Sequence, residues 1–136
     1  MQEDRLLDFA KRYTAAWCGQ QAASVAAFYA ADGSLRVNDG APAVGRRAIT
    51  EVAQSFMTAF PDLRVDMDAV LARGDRTEYR WTLTGTNTGP GGSGHPVRIT
   101  GFELWQMDAD GLIASSHGHF DDAEYRRQLE RGVPAR

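Results

Sequence analysis

Arg76-Thr77-Glu78-Tyr79-Arg80-Trp81-Thr82-Leu83-Thr84-Gly85-Thr86-Asn87-Thr88 is the stretch on which the fold turns. Its threonines and aromatic residues suit the pleated, half-buried surface of a strand. Before it, Leu63 to Ala72 alternates loosely and turns at Arg73-Gly74-Asp75. After it, Gly89-Pro90-Gly91-Gly92-Ser93-Gly94 is a flexible connection, and Val97 to Met107 predicts the next strand. Asp108-Ala109-Asp110-Gly111 reads as a hairpin turn, with a last strand from Leu112 to about Asp121. Everything from Leu63 to that point reads as sheet.

The half before it reads as helix. Leu6, Ala10, Tyr13 and Trp17 recur at helical spacing between about Glu3 and Trp17, with charged residues between them. A shorter helix is predicted from Ser24 to Ala30 through Val25, Phe28 and Tyr29, ended by Asp32-Gly33. Ser34 to Asn38 is a brief strand, Asp39-Gly40-Ala41-Pro42 a turn, and Ile49, Val52, Phe56 and Phe60 mark a third helix that Pro61 stops. A terminal helix runs through Tyr125 and Leu129. Helices followed by hairpin-connected strands predict an α+β domain, with helices packed on one face of a curved antiparallel sheet. At 136 residues, with no repeat or linker, one domain spanning residues 1–136 is expected.

Hydrophobic residues at 43% and charged residues at 24% are ordinary globular values. No apolar run approaches the roughly 20 residues that span a bilayer, so no membrane partner is expected. The polar start Met1-Gln2-Glu3-Asp4-Arg5 is unlike a signal peptide and predicts a cytoplasmic protein. The one cysteine, Cys18, is expected as a small buried residue. A net charge of −3 and scattered basic residues argue against nucleic acid. The glycine-rich run joins strands and opens no helix, so it is a hairpin loop rather than a phosphate cradle.

Chemistry concentrates in Ser115-Ser116-His117-Gly118-His119-Phe120-Asp121-Asp122. In a strand, alternate side chains share a face, so His117, His119 and Asp121 point the same way. Imidazole and carboxylate exchange protons near neutral pH, which makes these three the candidate catalytic residues. Each has a plainer reading: Asp121 as a helix N-cap, His119 as a half-buried ring satisfied by a neighbouring strand, His117 as a contact of a dimer. A three-ligand metal centre does not follow, because four strand residues at about 3.3 Å each put His117 roughly 13 Å from Asp121. No metal and no cofactor are expected. Arg80 and Glu103, charged residues inside strands, either line a polar pocket or face water on the opposite side of the sheet, and solvent or a dimer rim is the favoured expectation.

Phe60-Pro61-Asp62-Leu63, Arg80-Trp81-Thr82-Leu83-Thr84-Gly85-Thr86-Asn87-Thr88-Gly89 and Thr100-Gly101-Phe102-Glu103-Leu104-Trp105 resemble the SnoaL-like polyketide cyclases of the nuclear-transport-factor-2-like superfamily. Gly45 and Asp110-Gly111 extend the resemblance over nearly the whole chain. It implies a cone-shaped fold, a curved sheet wrapped around N-terminal helices and enclosing an apolar pocket, as a homodimer. In such a cone, Trp17, Phe56 and Phe60, with Tyr29 at the mouth and Trp81 and Phe102 from the sheet, are the expected substrate-binding wall. The resemblance also implies a cofactor-free intramolecular aldol condensation with an aspartate on the last strand as acid–base. Here that aspartate is missing, since its position falls on His119 or on Gly118 according to how the strand is matched.

Three functions follow as expectations. The first is a cofactor-independent cyclase or isomerase in which His119 or Asp121 abstracts a proton next to a carbonyl of a small apolar or aromatic molecule. The second is a non-catalytic ligand-binding or dimerisation domain. The third is a water-using, epoxide-hydrolase-like enzyme that pairs Arg80 with Asp121.

Overall fold

A computed structural model describes residues 3–133. Helices α1 (Glu3–Cys18) and α2 (Ala22–Ala26) lead into strand β1 (Tyr29–Val37), the short β2 (Ala43–Val44) and helix α3 (Arg46–Ala59). Four strands follow, β3 (Arg64–Arg73), β4 (Arg76–Thr86), β5 (Pro96–Met107) and β6 (Ile113–Phe120), and α4 (Asp122–Arg131) closes the series. The strands form one sheet in the order β2-β1-β6-β5-β4-β3. This is the α+β cone expected: a curled, unclosed sheet around the helices.

Four of the five strand pairings are antiparallel, and β1 lies parallel to β6. Parallel pairing needs a long crossover, which α3 and the four strands between them, β2 to β5, supply. Among the described residues no helix is long and apolar enough to cross a membrane.

The helices bury the faces their sequences mark. On α1, Leu6, Phe9, Ala10, Tyr13 and Trp17 are buried, and on α3 Ile49, Ala53 and Met57. Tyr13 meets Trp105 edge-on at 5.1 Å and Tyr79 at 5.4 Å between ring centroids. That geometry favours the ring quadrupoles as well as burying area.

The second helix is shorter than predicted, because Tyr29 to Val37 is strand. Asp32-Gly33 is therefore no helix stop but an irregularity inside β1, where the register with β6 shifts between Tyr29 and Ser34. A Cβ on Gly33 would stand 2.8 Å from the Ile113 carbonyl oxygen, so only glycine permits this approach. Cys18 is exposed rather than buried. Its thiol donates to the Val65 carbonyl at 3.1 Å and accepts from the Val65 amide at 3.3 Å, tying the end of α1 to β3.

Candidate functional site

Alternation along β5 and β6 decides what enters the cone. On β5, Val97, Ile99, Gly101, Glu103 and Trp105 are buried while the residues between them are not. On β6, Ser116 reaches Glu103, and Gly118 and Phe120 line the inner cavity. His117, His119 and Asp121 share a face as predicted, but it is the other face, away from that cavity.

His117 Nε2 donates to the Asn38 carbonyl at 2.8 Å. The His117 and His119 rings lie 3.9 Å apart, His119 stacks on Phe102 at 4.9 Å, and the Arg80 guanidinium sits 5.5 Å over Phe102. Partial burial and the neighbouring His117 lower the His119 pKa. Asp121 caps α4, its carboxylate accepting the Glu124 amide at 3.0 Å. His119 and Asp121 border an open outer groove with Asp39, Arg80 and Phe102. The cavity-based acid–base role expected for the three does not fit this placement. Arg80 instead binds Glu78 at 2.6 Å on the outer side, so the Arg80 and Asp121 pairing also lies outside the cone.

The cavity itself is about 70 Å³, walled by Trp17 of α1, Val52 and Phe56 of α3, Tyr125 of α4, and an inward row that includes Leu35, Tyr79, Trp81, Leu83 and Glu103. About 150 Å³ of enclosed apolar space admits benzene, so at less than half that volume the cavity with these rotamers takes only part of a ring-sized molecule, the rest of which lies in its mouth. Of the expected wall, Trp17, Phe56 and Trp81 face it. Tyr29 and Phe60 are fully buried in the core beside it, and Phe102 is on the outer face, because it holds an even position on β5.

Of the two positions the sequence allows Glu103, the structure places it at the less favoured one, in the pocket wall. It is 8% exposed, and its Oε1 accepts from Ser116 Oγ at 2.6 Å and Trp105 Nε1 at 2.9 Å. Tyr13 OH lies 3.1 Å from Oε1 and 3.3 Å from Oε2, and Tyr29 OH lies 3.4 Å from Oε1. Burial pushes the Glu103 pKa up, and the four donors, Ser116 first, oppose the rise in part. Burial and the nearby Glu103 charge raise Tyr13 and Tyr29 in turn. The signal was in the sequence: Val97, Ile99, Gly101 and Trp105 make an apolar row at every second position, and Glu103 completes it.

Gly118 faces the carboxyl across the β5–β6 pairing. A Cβ there would stand 3.7 Å from Glu103 Cγ, an ordinary contact, so glycine leaves usable space rather than relieving a clash. Among the described residues no three His, Cys, Asp or Glu side chains are grouped to hold a metal.

A curled open sheet closed by helices over an apolar cavity, with a buried carboxyl at its wall, makes this a cone-fold protein with an internal pocket. The chain belongs to the SnoaL-like polyketide cyclase family, whose model matches residues 7–129. Among solved structures it is similar to TsrD from Streptomyces laurentii, at 18% identity over 95% of this chain and 97% of that one, with a TM-score of 0.80. It is similar also to SalBIII, described as an epoxide hydrolase/cyclase-like enzyme in pyran ring formation in the polyether salinomycin, at 15% identity over 91% and 97% and a TM-score of 0.77. TerC, solved with polyporic acid, aligns at 15% identity over 91% and 97% with a TM-score of 0.75. At these identities the likeness is one of fold. No curated protein matches the sequence.

Proposed function

We propose that this chain is a cofactor-free acid–base enzyme of the cyclase or isomerase type, acting on a small apolar carbonyl compound, with Glu103 as the group that moves the proton. The observation that carries the reading is a carboxyl with a raised pKa in the wall of an apolar cavity. Raising the pKa of a carboxyl makes its carboxylate a stronger base than one in water, the direction that proton abstraction requires.

In the proposed step, Glu103 as carboxylate takes a proton from the carbon next to the carbonyl, leaving an enolate. The enolate carbon attacks a second carbonyl of the same molecule, one carbon–carbon bond forms, and the resulting alkoxide recovers the proton from Glu103. Reprotonation at a different carbon instead gives isomerisation. Ser116 and Trp105 hold Oε1, so the less engaged Oε2 is the proposed proton-transfer atom. Trp17, Phe56 and Trp81 pack on the substrate and keep water away. Membership of a cyclase family and the likeness to SalBIII support the reading.

A non-catalytic binding domain is the second reading. It is favoured by Gly118, which stands at one of the two positions the resemblance reserves for an aspartate, and by the four donors already gathered on Glu103. Exchange of the protons next to the carbonyl of cyclohexanone in heavy water, followed by proton NMR, separates the two. Acceleration over buffer that is lost in Glu103→Gln supports the enzyme; no acceleration, or the same acceleration in Glu103→Gln, overturns it.

A further inference from the structure

Trp81 carries a hydrogen-bond donor with nothing to bond. Its indole Nε1 is buried and has no partner, while the side chain forms part of the cavity wall. Two neighbouring polar groups are engaged. Trp105 Nε1 donates to Glu103 at 2.9 Å, and the Tyr79 hydroxyl pairs with Thr14. Buried donors in folded proteins are nearly always satisfied, and a stranded one marks a place where something absent from the bare chain completes it.

The indole is held in place. Its Cζ2 and Cη2 atoms occupy the room beside Gly101, 2.6 and 2.9 Å from where a Cβ would stand, and Phe120 meets it edge-on at 6.0 Å. Trp81 is the cross-strand partner of Gly101, two residues before Glu103 on β5, while Glu103 itself pairs with Tyr79. Trp81 and Glu103 are thus diagonal neighbours on one face of the sheet, about 7–8 Å apart at the backbone, within reach of one ring-sized molecule held by both.

We infer that the Trp81 indole N–H donates a hydrogen bond to a carbonyl oxygen of the molecule the cavity takes, and so selects ketones over hydrocarbons of the same shape. The choice of a carbonyl rests on the function proposed above; the need for an acceptor does not. With a ketone oxygen on Trp81 and the neighbouring carbon towards Glu103, the same N–H stabilises the oxygen as it gains charge in the enolate.

Cyclohexanone and methylenecyclohexane, which has a carbon in place of the oxygen, are the probes. Indole resonances of the nitrogen-15-labelled protein are followed during titration, with Trp81 assigned by its loss in Trp81→Phe. Cyclohexanone is expected to move the Trp81 N–H downfield and methylenecyclohexane to leave it in place. In Trp81→Phe, which keeps an aromatic wall, affinity for the ketone is expected to fall about fivefold while that for the alkene changes less than about twofold. A cavity that binds neither compound, or binds both with the same effect on Trp81, overturns the inference. Proton exchange in the Glu103 variant tests the function separately, so ketone-selective binding without exchange removes the enzyme and leaves the Trp81 site standing.

Discussion

Replacing Glu103 by leucine strands the donors that now converge on it. Tyr13 and Tyr29 retain each other at 3.0 Å, but Ser116 Oγ and Trp105 Nε1 lose the acceptor they have. At about 1–3 kcal/mol for each buried donor left unpaired, Glu103→Leu costs about 2–6 kcal/mol, a large share of the roughly 5–15 kcal/mol that a domain has. Glu103→Gln keeps one oxygen for both donors and removes only the charge, so its cost is smaller and depends on pH. The carboxyl is raised in the folded protein, above an unfolded value near 4.3. The unfolded chain therefore loses this proton first as the pH rises. The stability contributed by the protonated carboxyl is whole below about pH 4.3 and is lost as the pH climbs through the folded-state value, at about 1.4 kcal/mol for each unit between the two. Glu103→Gln has no such proton and gains on the wild type across that window. Urea unfolding followed by tryptophan fluorescence, from about pH 4 to about pH 9, measures both effects. Glu103→Leu within about 1 kcal/mol of wild type, or parallel pH curves for wild type and Glu103→Gln, refutes the buried hub.

Gly101→Ala is expected to lose at least about 1–3 kcal/mol in the same assay, since its Cβ would stand 2.4 Å from the His119 carbonyl oxygen as well as against the Trp81 ring. Asp121→Ala should lose about 1 kcal/mol through the α4 cap, with cyclohexanone exchange unchanged; a large loss of exchange with the fold intact would restore Asp121 to the site. His119→Ala should leave the exchange rate within about twofold, because its ring is stacked on Phe102 outside the cone. Gly118→Ala should fold normally and weaken cyclohexanone binding, measured by titration, because its methyl occupies space beside Glu103 without a clash.

The architecture was legible because its signals are local. The 3.6-residue stripe of α1, Pro61 after α3 and the Asp110-Gly111 turn each act within a few residues. Tyr29 was misread because its ring suits the buried face of a helix or a strand equally, and only pairing with Ile113 makes it strand. The site was harder for a similar reason. Period two identifies which residues share a face, not which face is inside, and on β6 the polar row His117, His119, Asp121 carries more ionisable groups than the inward row of Ser116 and Gly118. The apolar row of β5 carried the better clue, and a charge within it counted against Glu103 when it should have marked it. The partners of that charge are far apart in sequence, so no window along the chain could show them together.

The distance between those partners bears on how the protein is made. Tyr13 and Tyr29 stand 90 and 74 residues before Glu103, and Ser116 13 residues after it. During synthesis the helices leave the ribosome with their apolar stripe uncovered, and the parallel pairing of β1 to β6 waits for the end of the chain. Such long-range closure is slow and exposes sticky surface meanwhile. The polar hub thus records completion: its hydrogen bonds are satisfied only when the last strand has docked, and a chain truncated before Ser116 should emerge as a ward of chaperones rather than a smaller version of the same protein.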